Sequence, residues 1–191
     1  TPHGFVKHVF FGGTGVTPTN PNSLNLSTGY NYLYACCPGG DDGQSGPLAY
    51  ALFGASAQPR GNASQTGVVV RVSLDGSADP PTVAYVDAIS VGASASAVTG
   101  LGWNDAQSYA IAATWGSPGG VAKVNALPGG TLEIQNSLTL SSADYSFPVV
   151  VCAGDQSASP NLFFVVSSSG DEADSELPCN IVSIDGASYG S

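Results

Sequence analysis

The 191-residue sequence contains no methionine, only four Lys and Arg residues, and only two histidines. Four cations cannot form the basic surface that neutralises a nucleic-acid backbone, so we expect no nucleic-acid partner. No apolar run approaches the ~20 residues of a membrane-spanning helix, so no such span is expected. Helix-forming residues are scarce, and no apolar pattern recurs with a helical period. The chain is therefore predicted to contain little helix.

Motifs for catalysis and metal binding are also missing. His3 and His8 both lie near the start, and no G-x-S-x-G motif is present, so a Ser-His-Asp triad is not indicated. No CxxC motif or Cys/His cluster suggests zinc. The densest acidic run could ligate Ca²⁺, but its spacing fits no EF-hand, and a solvated loop is favoured. We predict a protein that is not an enzyme and has no cofactor. The weak calcium candidate consists of Asp171, Glu172, Asp174 and Glu176.

The residues that are present suggest an extracellular protein. Fourteen Asp and Glu residues give a net charge of −10, although only 9% of all residues are charged. Such low lysine and glutamate content is unusual for a cytosolic surface. Two N-glycosylation sequons, at Asn25 and Asn62, lie in polar, turn-rich stretches. We expect a secreted protein that carries N-linked glycans at these positions.

Four cysteines, Cys36, Cys37, Cys152 and Cys179, allow three disulfide pairings. Adjacent cysteines rarely bond to each other, because the peptide that joins them would be strained. A Cys152–Cys179 bridge would close a short local loop and is plausible. Cys36 and Cys37 would then find partners elsewhere, or one would remain a buried thiol.

Strand signals occur along the whole chain and repeat. Short runs of Val, Ile, Leu, Phe and Tyr alternate with Gly, Pro, Asn, Asp and Ser clusters, which predicts an all-β protein. Three similar strand segments end in tight turns, and their matching positions Val72, Val124 and Val182 are 52 and 58 residues apart. Neighbouring strand signals extend each segment to a unit of about four antiparallel strands. The three segments are residues 67–76, 120–129 and 179–186.

One segment carries a family resemblance. Residues 98–112, VTGLGWNDAQSYAIA, resemble the inner two strands of a β-propeller blade, and the repeat has the length of a kelch blade. The sequence has no WD dipeptide and no complete kelch Gly-Gly signature, so the resemblance implies a fold and not a function. It predicts one propeller-like domain over residues 1–191, with blades at about 28–92, 96–140 and 145–191.

The predicted blades are out of phase with the chain. Segment 4–13 occupies the position of a fourth, outer strand, whereas the last blade stops after its third strand. Three blades are too few to close a propeller ring. We therefore expect an incomplete ring, completed by more of a longer chain, by a second copy, or by strand exchange between copies. The predicted assembly strand contains Phe5, Val6, Val9, Phe10 and Phe11.

These features favour a structural or assembly module of an extracellular filament, appendage or matrix that associates through strand edges. One alternative is a glycan-binding, lectin-like propeller, and a second is a propeller hydrolase or lyase. Trp103 and Trp115 could stack on sugars, but they lie on predicted strands one hairpin apart. Packing between blades is the favoured interpretation for both side chains.

Overall fold

A computed structural model describes twelve segments of the chain and shows an all-β fold, as predicted. The described residues are 5–7, 23–25, 32–41, 48–57, 66–75, 82–92, 97–116, 118–140, 147–155, 157–159, 161–168 and 179–188. The strands are β1 (Phe5–Lys7), β2 (Ser23–Asn25), β3 (Tyr32–Asp41), β4 (Leu48–Ser56), β5 (Val68–Asp75), β6 (Thr82–Ser90), β7 (Ala97–Asn104), β8 (Tyr109–Trp115), β9 (Gly119–Asn125), β10 (Glu133–Leu140), β11 (Pro148–Ala153), β12 (Leu162–Ser168) and β13 (Cys179–Asp185). Within these segments, no helix is long and apolar enough to cross a bilayer.

Strands β3 to β13 form three antiparallel sheets in chain order. Sheet 1 contains β3–β6, sheet 2 contains β7–β10, and sheet 3 contains β11–β13. Consecutive strands are neighbours within each sheet, so every sheet is a simple meander of local connections. The described strands do not close into a barrel.

Sheet 2 lies between the other two sheets. Every residue of β7 and β8 is buried. Along β8, Ala110 and Ala112 pack in the core shared with sheet 1, whereas Ile111 and Ala113 pack in the core shared with sheet 3. Because successive side chains of a strand point to opposite faces, this alternation means that sheet 2 buries both faces. The continuous apolar run in β8 is the sequence signal for this position.

Glycines allow the sheets to approach closely on both sides of β7. A Cβ atom at Gly54 would lie 2.6 Å from a side-chain carbon of Val98, and one at Gly100 would lie 2.6 Å from the backbone nitrogen of Val151. Neither distance is compatible with a side chain. Gly54 therefore sets the spacing of sheets 1 and 2, and Gly100 sets the spacing of sheets 2 and 3.

The first strand pairs locally. The described part of segment 4–13, which the sequence analysis assigns as a fourth-type outer strand, is β1, and within the chain it pairs with β2. A local partner costs less loop-closure entropy than β13, which is distant in sequence. Both short strands form a separate two-stranded ladder, and β2 contacts β6 at the edge of sheet 1.

The expected Cys152–Cys179 bridge is not formed. Cys152 is level with Phe164 on the central strand of sheet 3, and Cys179 is level with Ser168 on the same strand. Two strand spacings of about 4.8 Å and four residues of about 3.3 Å place their Cα atoms about 16 Å apart. A disulfide requires less than about 7 Å. Cys36, Cys37 and Cys152 are free thiols.

Candidate functional site

The sequence-predicted site residues fall partly outside the described segments. Asn25 is the last residue of β2, and Phe5 and Val6 belong to β1. The described residues contain no group of three His, Cys, Asp or Glu side chains that could hold a metal ion. The remaining predicted residues outside the described segments are Val9, Phe10, Phe11, Asn62, Asp171, Glu172, Asp174 and Glu176.

The two tryptophans belong to the core. Trp103 and Trp115 are 8% and 2% exposed, which confirms the packing interpretation and leaves neither indole face open to a sugar. The Trp115 ring contacts the Phe147 ring at 4.9 Å between centroids. The structure thus gives no support for sugar stacking on either tryptophan.

A buried ion pair joins sheet 1 to sheet 2. Arg71 on β5 is only 2% exposed. Its Nε and Nη2 atoms donate to the two carboxylate oxygens of Asp87 on β6, at 2.9 and 2.8 Å. The same guanidinium donates to the carbonyl oxygens of Leu127 and Gly130, in the loop between β9 and β10. Asp87 also accepts from the backbone N–H of Leu132 at 2.9 Å. Three of these five hydrogen bonds fix the loop against sheet 1, and the other two hold Arg71 and Asp87 together within sheet 1.

A second cation joins sheet 2 to sheet 3. The Lys123 Nζ atom on β9 donates to the carbonyl oxygen of Gly186 at 2.8 Å and lies 4.3 Å from the centre of the Tyr109 ring. The Tyr109 hydroxyl donates to Asn161 Oδ1 at 2.9 Å and accepts from Asn104 Nδ2 at 3.0 Å. Burial is the main cause that raises the Tyr109 pKa, and the Asn104 hydrogen bond opposes it. The phenol therefore stays protonated and keeps its donor role.

Arg71 and Lys123 occupy the same position in successive sheets. Each lies on the third strand of its sheet and pairs with an aliphatic residue on the second strand. The two residues are 52 positions apart, which equals the spacing of the first two repeat segments. The equivalent residue of sheet 3 is Ile181, 58 residues after Lys123. Ile181 is 69% exposed, more than any other large hydrophobic residue described. Sheet 3 therefore has an exposed isoleucine where sheets 1 and 2 have a cation that binds the next sheet.

An aromatic residue on the second strand shows the same equivalence. The Arg71 guanidinium carbon lies 5.4 Å from the centre of the Tyr50 ring, as Lys123 lies above Tyr109. The equivalent aromatic residue of sheet 3 is Phe164, which is 37% exposed. The faces of sheets 1 and 2 that contain these pairs are covered by the following sheet, whereas among the described residues the corresponding face of sheet 3 is exposed at Val150, Phe164 and Ile181.

This uncovered face, here called the sheet 3 outer face, is apolar. Cross-strand pairing places Val150, Val166 and Ile181 in one row and Cys152, Phe164 and Ser183 in the next. Val150 is 45% exposed, and Cys152 is an exposed free thiol. Asp185 lies at one end of the face. The residues that define the sheet 3 outer face are Val150, Cys152, Phe164, Val166 and Ile181.

Sheet 3 also ends one strand earlier than its neighbours. In sheets 1 and 2 the third strands, β5 and β9, pair with the outer strands β6 and β10. Among the described residues, β13 has no such outer strand and forms the edge of its sheet. A sheet edge presents backbone N–H and C=O groups that can extend the ladder.

The two adjacent cysteines of β3 differ in environment. Cys36 is exposed, whereas Cys37 packs against the core between sheets 1 and 2. Burial, with a smaller contribution from Cys36, raises the pKa of Cys37 to about 12. Cys37 is thus a structural thiol with little thiolate at neutral pH.

No protein-family model matches the chain, and no curated protein matches it.

The sequence interpretation singled out neither Arg71 nor Lys123 as a functional residue. Aligning the three repeat segments on Val72, Val124 and Val182 would have placed both cations beside Ile181, and this is the signal that could have found them.

Proposed function

We propose that this protein is an extracellular structural module whose three sheets are propeller-like blades that assemble with other copies through strand edges. The observation that carries the proposal is the number of strands in the three sheets, which is four, four and three. Within the described segments, sheet 3 has an edge at β13 where its neighbours have an outer strand. A strand from another chain would extend sheet 3 through main-chain hydrogen bonds.

Two features support the propeller-like description. The three meanders follow one another along the chain, and sheet 2 packs face to face with both neighbours. Equivalent cations at Arg71 and Lys123 connect each of the first two sheets to the following one. Closed propellers have about four to eight blades, and in our proposal another copy adds to these three blades to form a ring or a filament.

The donor strand that we propose is segment 5–11 of a neighbouring copy. Its seven residues match the seven residues of β13. In the structure its first three residues pair with β2 in a three-residue ladder. Isolated two-stranded ladders are only marginally stable, so this pairing can be exchanged for a longer one on β13.

The extracellular and glycosylated parts of the proposal rest on the composition and on the sequons at Asn25 and Asn62. Treatment of the native protein with peptide-N-glycosidase F, followed by mass spectrometry, tests them directly. Loss of glycan mass and conversion of both asparagines to aspartate are expected. An unchanged mass for native protein from a eukaryotic source would contradict the glycosylation.

Assembly is tested with the full chain by sedimentation velocity and electron microscopy. We expect oligomers or filaments that a synthetic peptide of residues 4–13 dissolves, because the peptide occupies the β13 edge. The control peptide has Val6→Pro and Phe10→Pro, since proline cannot donate to the ladder. A protein that remains monomeric at every concentration, or polymers that both peptides affect equally, would overturn the proposal.

A further inference from the structure

We propose that the sheet 3 outer face binds the same face of a second copy of this chain. This inference rests on the proposed assembly function and adds a second contact, made by a sheet face, to the edge of β13. It is supported by the repeat equivalence between sheets, by the chemistry of position 181, and by the exposure of Val150, Phe164 and Ile181 on this face.

The two interfaces between sheets within one copy indicate what kind of structure covers the sheet 3 outer face. Sheet 1 presents the face of Tyr50 and Arg71 to sheet 2, and sheet 2 presents the face of Tyr109 and Lys123 to sheet 3. In both cases a whole β-sheet covers the face. The sheet 3 outer face is the third in this series, and we therefore expect its occupant to be a β-sheet.

The second step is the residue at position 181. Arg71 and Lys123 each need carbonyl oxygens on the sheet that covers them. Ile181 needs none, and neither do Val150 and Val166 in the same row. Carbonyl oxygens that the covering sheet presented here would be buried without a hydrogen-bond donor, because the isoleucine side chain cannot donate. The covering sheet must instead be apolar.

The other sheet faces in the described part of the chain are less suited to cover the sheet 3 outer face. Both faces of sheet 2 are covered, and on the far face of sheet 1 Ala55, Val70 and Val72 are fully buried. Seven large hydrophobic residues are exposed, and three of them, Val150, Phe164 and Ile181, share the sheet 3 outer face. In a head-to-tail contact, this face would therefore meet a face of sheet 1 whose central side chains are already covered. The same face of a second copy remains as its apolar counterpart.

Charge favours the same pairing. The protein has a net charge of −10, so two copies repel each other over most of their surface. The five side chains of the sheet 3 outer face are uncharged. A two-fold axis through its centre would place the two Asp185 carboxylates at opposite ends of the contact, where they stay solvated.

The size of the face sets the strength of the contact. Three strands of about seven residues cover roughly 14 by 23 Å, which is less than the ~800 Å² that each partner buries in a standard interface. The face contact alone is therefore weak and depends on concentration. In an assembly it acts together with the β13 edge, and each contact raises the effective concentration for the other.

Two native thiols make the test specific. Cys152 lies on the sheet 3 outer face and Cys36 is exposed on sheet 1. We would measure the iodoacetamide alkylation rate of each by mass spectrometry from about 1 µM to 1 mM protein, with peptide 4–13 present to block the edge. Alkylation of Cys152 is expected to slow several-fold at high protein concentration, and that of Cys36 to stay constant.

The variant Ile181→Lys places a cation at the position that Arg71 and Lys123 occupy in the other two sheets. Its matched control is Val86→Lys, which changes an exposed aliphatic residue of sheet 1. Ile181→Lys should abolish the concentration dependence of Cys152 alkylation and weaken association at least tenfold in sedimentation equilibrium, whereas Val86→Lys should change neither. Equal behaviour of both variants, or constant Cys152 alkylation in the parent protein, would overturn the inference.

The outcomes also separate this inference from the proposed function. Filaments that dissolve with peptide 4–13 but survive Ile181→Lys would support the edge and refute the face contact. Dimers that are lost with Ile181→Lys, in a protein that never forms larger oligomers, would support the face contact and refute the edge assembly. A protein that is monomeric in every assay would refute both.

Discussion

Replacement of Arg71 by methionine should be the most destabilising single change at the junction of sheets 1 and 2. Methionine retains most of the side-chain volume but removes four hydrogen bonds from a position that is 2% exposed. The Asp87 carboxylate, 24% exposed, would lose its counter-ion. Breaking such a pair by removing one partner costs about 3–5 kcal/mol.

That loss is large relative to the whole stability of a domain, which is about 5–15 kcal/mol. With a urea m-value of about 2–3 kcal/mol/M for a chain of this length, the unfolding midpoint should fall by about 1–2 M. The buried indoles of Trp103 and Trp115 in sheet 2 provide the fluorescence signal. Amide hydrogen exchange should also accelerate at Leu132, whose N–H donates to Asp87.

A double-mutant cycle tests the assignment to the ion pair. The variant Arg71→Met/Asp87→Leu removes both charges and should regain about 1–3 kcal/mol relative to the sum of the single variants. Glu133→Gln, at an exposed position of β10, is the control and should change stability by less than about 0.5 kcal/mol. A loss below about 1 kcal/mol for Arg71→Met, or strictly additive single variants, would refute the reasoning.

Further outcomes follow from other contacts and are measured by the same urea unfolding unless stated. Lys123→Met should cost about 1–2 kcal/mol, less than the arginine variant, because it removes one hydrogen bond and one ring contact; an equal loss would contradict this ranking. Gly100→Ala should cost at least about 2 kcal/mol because its Cβ would meet the backbone at Val151, whereas Gly130→Ala, with 3.4 Å to its nearest neighbour, should cost less than about 1 kcal/mol. Since burial raises the folded-state pKa of Cys37 to about 12 from 9.0, the stability that depends on its neutral thiol is present below pH 9 and is lost between pH 9 and 12. Cys37 should contribute a slope of about 1.4 kcal/mol per pH unit, and Cys37→Ala should lose this contribution but keep the one from the raised pKa of Tyr109; an unchanged slope would show that Cys37 contributes nothing.

The sequence was informative where local patterns decide the structure. The alternation of apolar and turn-forming residues predicted an all-β chain, but the apolar runs at residues 149–151 and 162–166, which suggested strands buried on both faces, leave Val150 and Phe164 exposed. The pattern could not show that Arg71 binds loop carbonyls more than fifty residues later, because it contains no information on which loop faces which strand. The Cys152–Cys179 expectation failed for the same reason. Closeness in sequence suggested a bridge, but the intervening strand β12 separates the two residues in the sheet.

The double cover of sheet 2 makes the order of unfolding uneven. The amides of β7 and β8 should exchange with solvent only after a neighbouring sheet has detached, whereas the strands of sheet 3 are protected from one side only. In the assembly that we propose, sheet 3 should therefore detach before β7 and β8 when the protein is pulled.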